Sequence, residues 1–489
     1  MNTKRFTILH FNDMHGDFLA EMQGAEGRLT GGLALLSGYI NQVRREEENV
    51  FYVISGDMVQ GSIIDSEFRG ISTIEIMNYL APDVVTLGNH EFDYGLPHLL
   101  FLEKMANFPI VNANLYITKY NKRLMTPYRI IPKAGFDVLF IGIITDKVID
   151  ALKTDEQVGS FISLADAADE VGRICNAYKS DDIDLTVLMT HIGFESDCEL
   201  ATLLDPEWGV DLIIGGHSHT ILEQPARINN VLITQAGVGT DQVGRFDLVV
   251  DDDTNSIVEW KWQLIPITEG LAAPDKELQD YIESFKTVVD RKYSTILCKF
   301  ATKLTHPRRE EETALGNLLA DAIAESSGAD VVFLGSGSVR VKEMGPLVTL
   351  GSFMACFPYN DTLTRYTISG ARLKRIFSHI MRIDNRDGEG ECYQVNAGVR
   401  AVYNDAEKRL ESLSINGQPV ADDRSYTICL QGYHAKNSAP YLNITAEELA
   451  EAAKPRVVST SAQDVLLEFL RNNQNVNRGV EGRLTYIGK

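Results

Sequence analysis

Five short apolar runs in the first half of the chain have the length of β-strands, and glycine or polar residues follow each of them. The runs occupy residues 6–9, 51–54, 84–87, 185–189 and 211–214. Apolar runs that alternate with helical patterns predict an open α/β sheet, whose sites form beyond the carboxyl ends of the strands. The residues that directly follow the runs are therefore the first candidates for chemistry.

A change of pattern at about Pro266 predicts a domain boundary. Residues 274–292 predict one amphipathic helix, because Pro274 suits a first helical position and apolar residues recur along one stripe. Beyond this helix, short strands and turns mix with helices, which is typical of an α+β domain. We expect an α/β domain over residues 1–270, a linker helix over 271–296 and an α+β domain over 297–489.

Composition and charge limit which partners and which cellular location we expect for the chain. Its 489 residues, 44% of them hydrophobic, are enough for two or three cores. The net charge of −22 repels a polyphosphate backbone, so we expect a small nucleotide and no nucleic acid polymer as partner. No run of about 18 apolar residues occurs, so no membrane partner is expected. The first strand begins at about Phe6 and leaves no room for a signal peptide, which predicts a cytoplasmic protein.

The segments that follow the five runs are rich in residues that bind metal ions. Two divalent ions about 3.5–4 Å apart clamp a phosphoryl group and lower the pKa of a bound water toward neutrality. Asp57 fits the position between two such ions, because each oxygen of its carboxylate can bind one of them. The other expected ligands are Asp13, His15 and His219 for one ion, and Asn89, His191 and His217 for the second. These nitrogen and oxygen ligands suit Zn²⁺, Mn²⁺, Co²⁺ or Fe²⁺ better than Ca²⁺, and the identity of the metal stays open.

One histidine of these segments is not assigned as a metal ligand and is available for catalysis. His90 directly follows Asn89, so its ring is expected beside the ions, facing a bound phosphate without binding the metals. We assign it to stabilise the transition state and to protonate the leaving group. Asp93 lies three residues further and can accept the other ring N–H, which fixes the tautomer. No chemistry is predicted for the remaining histidines, His10, His98, His306, His379 and His434.

The motifs resemble those of the calcineurin-like metallophosphoesterases, which share DxH, GD, GNH[DE], a lone His after a strand and GHxH in this order. The strings GNHEFDYG (88–95) and GGHSHT (215–220) are similar to the 5′-nucleotidase and UDP-sugar hydrolase branch, as are segments 314–321 and 335–340. The resemblance covers nearly the whole chain. It implies an N-terminal four-layer αββα domain, in which helices flank two mixed sheets, and a C-terminal α+β substrate-binding domain.

The resemblance also implies which residues hold the rest of the substrate. The branch has an arginine before the segment at 314–321, a phosphate-side arginine after a Gly-rich segment, and two aromatic residues that stack on the base. The matching residues are Arg309, Arg340, Tyr359 and Tyr433, with Arg308 as the alternative to Arg309. Tyrosine keeps the stacking face that the base needs.

Two departures from the branch affect recognition of the nucleoside. Gly335 stands where the branch usually has an asparagine. Residues 437–441 replace the usual GGDG[FY] string, so the acidic residue that would meet the ribose is absent. Both changes concern the leaving group, and neither touches the phosphate chemistry.

The leading hypothesis is a two-metal phosphohydrolase, a 5′-nucleotidase in which metal-bound water attacks a nucleoside monophosphate and releases nucleoside and phosphate. UDP-sugar hydrolase and cyclic-nucleotide phosphodiesterase activities stay open as alternatives. A non-catalytic nucleotide-binding protein is the alternative of another class, and His90 with Asp93 argues against it, because neither is needed to hold ions. Closure of the two domains through the linker helix is expected to assemble the site.

Overall fold

The computed structural model describes residues 3–23, 27–117, 120, 122–144, 163–178, 181–386 and 391–488. The chain forms two compact units, Met1–Val289 and Asp290–Lys489. Each unit has its own buried apolar clusters. Within the described ranges, every helix is too short or too polar to span a lipid bilayer.

The first unit contains two six-stranded mixed sheets. The strands of the first sheet are, in spatial order, Ser256–Pro266, Gln242–Asp251, Thr3–Phe11, Val50–Ser55, Val84–Thr86 and Ile110–Val111. Those of the second sheet are Ala226–Ile228, Val231–Thr234, Leu212–Ile214, Leu185–His191, Phe136–Ile144 and Tyr128–Lys133. Parallel pairs join four consecutive strands in each sheet, and antiparallel pairs join the others. The parallel strands end at one edge, where their loops can meet.

Aromatic side chains from both sheets form the core between them. The ring of Phe6 lies 5.6 Å from that of Phe136, and the ring of Phe51 lies 5.4 Å from that of Phe140. A second buried cluster lies on the other face of the second sheet, under the helices Leu164–Ala177 and Phe194–Leu203. Further α-helices among the described residues of this unit include Leu33–Glu46, Ile63–Phe68, Ile71–Leu80 and Leu96–Met105. The four-layer architecture implied by the resemblance is confirmed.

The helix at the unit boundary occupies Lys276–Tyr293. Its buried stripe contains Leu278, Ile282 and Val289, as the apolar spacing predicted. The predicted first position, Pro274, is wrong, because the helix begins two residues later. The Asp275 carboxylate accepts the N–H of Leu278 at 3.2 Å and so provides the helix cap.

The second unit combines two main sheets with helices in an α+β arrangement, which confirms the expected class. A five-stranded mixed sheet runs Tyr393–Gln394, Val331–Gly335, Ser425–Gln431, Leu363–Ser369 and Arg456–Ser459. A four-stranded sheet runs Gln418–Pro419, Arg409–Ile415, Val399–Asn404 and Leu484–Ile487. The longer helices are Ala314–Ser327, Gly370–Ile380 and Ala462–Asn472.

Candidate active site

The backbone at one edge of the two sheets of the first unit turns sharply at the predicted metal ligands. Left-handed backbone conformations, with positive φ, occur at Asp13, His15, Asp57, His217 and His219. Such conformations are strained for residues other than glycine and concentrate at functional sites. The turns aim side chains from separate strand ends at a common point.

Asp57 and His191 lie at the centre of this group. The Oδ2 atom of Asp57 is 3.1 Å from Nε2 of His191. Burial raises the pKa of Asp57, but its hydrogen bond and charge interaction with His191 outweigh burial and lower that pKa. The Nδ1–H of His191 donates to the carbonyl of Ser55 at 2.8 Å, which leaves Nε2 as the nitrogen that meets the carboxylates. That Nε2 is buried beside Asp57 at 3.1 Å and Asp13 at 3.7 Å, where a metal ion can take the place of its proton.

The structure brings all seven predicted ligands together. Ligand atoms of Asp13, His15 and His219 lie within 4.8 Å of one another, and so do those of Asp57, His191 and His217. Asn89 joins them through its Oδ1, which is 2.8 Å from Nδ1 of His217. Imidazole, carboxylate and amide groups in this arrangement fit two borderline divalent ions.

His90 and Asp93 form the expected pair. Nδ1 of His90 is 2.7 Å from Oδ2 of Asp93, and both side chains are 31% exposed. The hydrogen bond to Asp93 raises the pKa of His90. Because Nδ1 is engaged with Asp93, Nε2 is the nitrogen left to contact a ligand. A further set of ligand atoms within 4.8 Å contains His15, Asp57 and His90, so His90 lies close enough to touch a bound phosphate or an ion.

Glu91 supports the site and was missed from the sequence. Its buried carboxylate accepts the N–H groups of Asp57 at 3.0 Å, Met58 at 2.8 Å and Gly88 at 2.6 Å. It therefore ties the loop that carries Asp57 to the loop that carries His90. The position next to His90 was the available signal, but a glutamate in a loop is usually exposed. Gly88 is required here, since a Cβ atom would lie 2.2 Å from Oδ1 of Asp57.

The four predicted substrate residues line one cavity in the second unit. The cavity, of about 560 Å³, is bordered by Arg309, Arg340, Tyr359 and Tyr433. Tyr359 is 48% and Tyr433 is 54% exposed, so both rings offer surface to a ligand. Two guanidinium groups and two aromatic faces can hold an anionic, planar molecule.

His434 and Glu391 also line this cavity, although the sequence suggested no role for either. His434 is 3% exposed, and its Nε2 is 3.3 Å from Oε1 of Glu391. A Cβ atom at Gly335 would lie 2.2 Å from Cε1 of His434. The ring of His434 therefore takes the space beside Gly335, which explains why this chain has no side chain there.

Two protein-family models match the chain. "Calcineurin-like phosphoesterase" matches residues 6–220, and "5′-nucleotidase, C-terminal domain" matches residues 295–444. The chain is 27% identical to a 5′-nucleotidase-related protein of Glossina morsitans morsitans, over 98% of the chain and 94% of that protein. It is 25% identical to the snake venom 5′-nucleotidase of Naja atra, over 98% of both chains.

Solved structures agree in fold. The crystal structure of a 5′-nucleotidase precursor from Thermus thermophilus is similar with a TM-score of 0.63 and 21% identity. The match covers 99% of this chain and 100% of that one. At this identity the likeness shows the two-domain fold alone.

Proposed function

The chain belongs to the 5′-nucleotidase family of metallophosphoesterases, and on that premise we propose that it hydrolyses nucleoside monophosphates to a nucleoside and phosphate. It is a metal-dependent hydrolase of phosphate esters by its family and by its His/Asp clusters. The family implies a nucleotide-type substrate. Our proposal adds the monophosphate and the number of ions, which we put at two.

The observation that carries the proposal is the convergence of seven nitrogen and oxygen ligands, Asp57 among them, at one edge of the two sheets. In each of the two neighbouring ligand sets the ligand atoms lie within 4.8 Å of one another, which is close enough to hold one ion. Bound divalent ions would supply Lewis acidity at the phosphorus and would lower the pKa of a water. The buried Nε2 of His191, close to the carboxylates of both Asp57 and Asp13, supports a metal at this position.

His90 is proposed to act on the phosphate and on the leaving oxygen. Its Nε2 would donate to a phosphate oxygen, where negative charge develops, and would hold the proton that the leaving nucleoside needs. Asp93, at 2.7 Å from Nδ1, keeps the proton on that nitrogen and orients the ring. Asp57 also accepts the backbone N–H of His90 at 2.9 Å, which fixes the loop.

The cavity of the second unit is proposed to recognise the nucleoside. Tyr359 and Tyr433 would hold the base by stacking, and Arg309 and Arg340 would attract the anionic end. Glu391, held by His434 at 3.3 Å, offers a carboxylate to sugar hydroxyls where the family's usual acidic residue is absent. UDP-sugars and cyclic nucleotides carry the same base and sugar, so they remain the competing substrates.

The test is phosphate release from nucleoside monophosphates, cyclic nucleotides, UDP-glucose and an aryl phosphate, after chelation and refilling with Mn²⁺ or Zn²⁺. After their reactions, the cyclic-nucleotide and UDP-glucose samples are treated with an added phosphatase, so that any phosphomonoester product is also detected as phosphate. We expect kcat/KM for one nucleoside monophosphate to exceed that for the aryl phosphate by about 100-fold. Higher activity on UDP-glucose or cyclic nucleotides would replace the nucleotidase assignment, and silence on every substrate would contradict the proposal as a whole.

A further inference from the structure

Three aspartates gather in the first unit at the sheet edge opposite the catalytic one. Asp184 directly precedes the strand Leu185–His191 of the second sheet, and Asp182 lies two residues before Asp184. Asp252 lies in the turn that follows Gln242–Asp251 in the first sheet. One carboxylate oxygen from each lies within 4.8 Å of the others. His191 stands at the far end of its strand, roughly 20 Å away at about 3.3 Å per residue. The cluster is therefore separate from the catalytic centre.

Asp184 is the buried member of the cluster. It is 3% exposed, and its Oδ2 accepts the N–H of Asp137 at 2.6 Å. Its Oδ1 is buried and receives no N–H or O–H group within the described ranges, so a hydrogen bond there requires a proton shared with Asp252. Burial raises the pKa of Asp184 to about 6, and the nearby carboxylates of Asp182 and Asp252 contribute to that rise. A buried carboxylate oxygen next to other carboxylates needs a positive partner.

Asn255 adds a neutral oxygen to the same place. Its Nδ2 donates to Oδ1 of Asp182 at 2.9 Å, which holds the amide against the cluster. The amide Oδ1 is buried, and no described residue donates a hydrogen bond to it. A single shared proton makes one hydrogen bond and would leave either this oxygen or a carboxylate unsatisfied, whereas a cation binds several oxygens at once.

We propose that Asp182, Asp184 and Asp252 bind a structural Ca²⁺ ion that joins the two sheets of the first unit. Asn255, which is hydrogen-bonded to Asp182, offers a neutral amide oxygen beside them. The three aspartates offer oxygen atoms, which Ca²⁺ prefers, whereas among the described sites of this kind histidines, which suit borderline metals, occur only in the catalytic group. Backbone oxygens and water would complete the six to eight ligands that Ca²⁺ takes. The site is independent of the proposed reaction.

The test uses the full chain with its catalytic centre saturated with Mn²⁺. Calcium chloride is titrated calorimetrically, and the melting temperature is measured with Ca²⁺ present or replaced by an equal ionic strength of sodium chloride. We expect one Ca²⁺ to bind per chain and, at about a hundredfold excess over Kd, to raise Tm by roughly 5 °C. Absence of both calorimetric binding and a Tm shift in the unmutated protein would overturn the proposal without any variant.

Three variants locate the binding. Asp184→Asn and Asp252→Asn should abolish the calorimetric signal and the Tm shift, while the hydrolysis of an aryl phosphate with Mn²⁺ stays unchanged. Asp252 lies in a turn, so its variant serves if the buried Asp184→Asn fails to fold. The matched control is Asp181→Asn, an exposed aspartate outside the cluster, which should bind Ca²⁺ as the unmutated protein does. Ca²⁺ binding that survives Asp252→Asn would place the ion elsewhere and refute the site.

Discussion

Replacement of His90 by alanine separates catalysis from metal binding in the candidate active site. The change removes a ring whose Nδ1 is paired with Asp93 at 2.7 Å and which has a nitrogen within 4.8 Å of ligand atoms of Asp57 and His15. The seven proposed ligands all remain. We therefore expect His90→Ala to keep its metal and to lose turnover.

The size of the loss follows from the role of the ring. A positioned proton donor contributes about 10²- to 10⁴-fold to the rate, which corresponds to about 2.7–5.5 kcal/mol of transition-state stabilisation. Asp93→Asn should cost less, about tenfold, because the asparagine oxygen still accepts the Nδ1–H and only the charge is lost. Both side chains are 31% exposed, so neither change should lower Tm by more than about 2 °C.

The assay combines metal analysis by mass spectrometry with kcat measured on a nucleoside monophosphate. His98→Ala is the matched control, because it removes another half-buried imidazole, whose Nε2 is 2.6 Å from the carbonyl of Arg69, outside the ligand sets. It should keep both metal and turnover. Loss of metal in parallel with activity in His90→Ala would identify His90 as a ligand. A fall in kcat of less than about threefold with metal retained would refute its catalytic role.

Three further predictions test the remaining parts of the two sites. Tyr433→Ala should raise KM for a nucleoside monophosphate by about tenfold or more through lost stacking, whereas Tyr433→Phe should not; equal effects in steady-state kinetics would contradict stacking. Gly335→Ala should lower the free energy of unfolding by about 1–3 kcal/mol, since its Cβ would lie 2.2 Å from His434. In the double variant, His434→Ala should relieve this clash. A urea titration in which Gly335→Ala lowers the free energy of unfolding equally with and without His434 would refute the reasoning. Chelation should abolish turnover and lower Tm, because the carboxylates of Asp13 and Asp57 then lose their counter-ions, and refilling with Mn²⁺ should restore turnover. Full activity in the presence of chelator would exclude metal-dependent hydrolysis.

The catalytic edge of the first unit was predictable because its signals are local. Each ligand follows an apolar run within a few residues, and parallel strands bring their carboxyl ends to one edge. The observed strand ends lie close to the predicted ones. For example, the strand Val84–Thr86 stops one residue before its predicted end. The strand at 211–214 begins one residue late, at Leu212, although the N–H of Asp211 still donates to the carbonyl of Thr186 at 3.0 Å.

Features that depend on packing between distant residues could not be predicted in this way. The role of Glu91 depends on which backbone N–H groups surround it, and a loop glutamate carries no sign of burial. His434 became part of the cavity because Gly335, about a hundred residues earlier in the chain, leaves room for its ring. The cluster of Asp182, Asp184 and Asp252 joins segments from different sheets.

The sequence by itself determined the reaction class, the two-domain organisation and the identity of the residues that converge on Asp57, since each of these rests on short motifs placed at strand ends. Only the tertiary structure decided which side chains support those residues, what fills the space beside Gly335 and where oxygen ligands meet at the opposite edge. The physical reason is that the pattern of apolar and polar residues that predicts a strand involves only neighbouring residues. Burial and partner choice arise instead from contacts between residues that lie far apart in the chain.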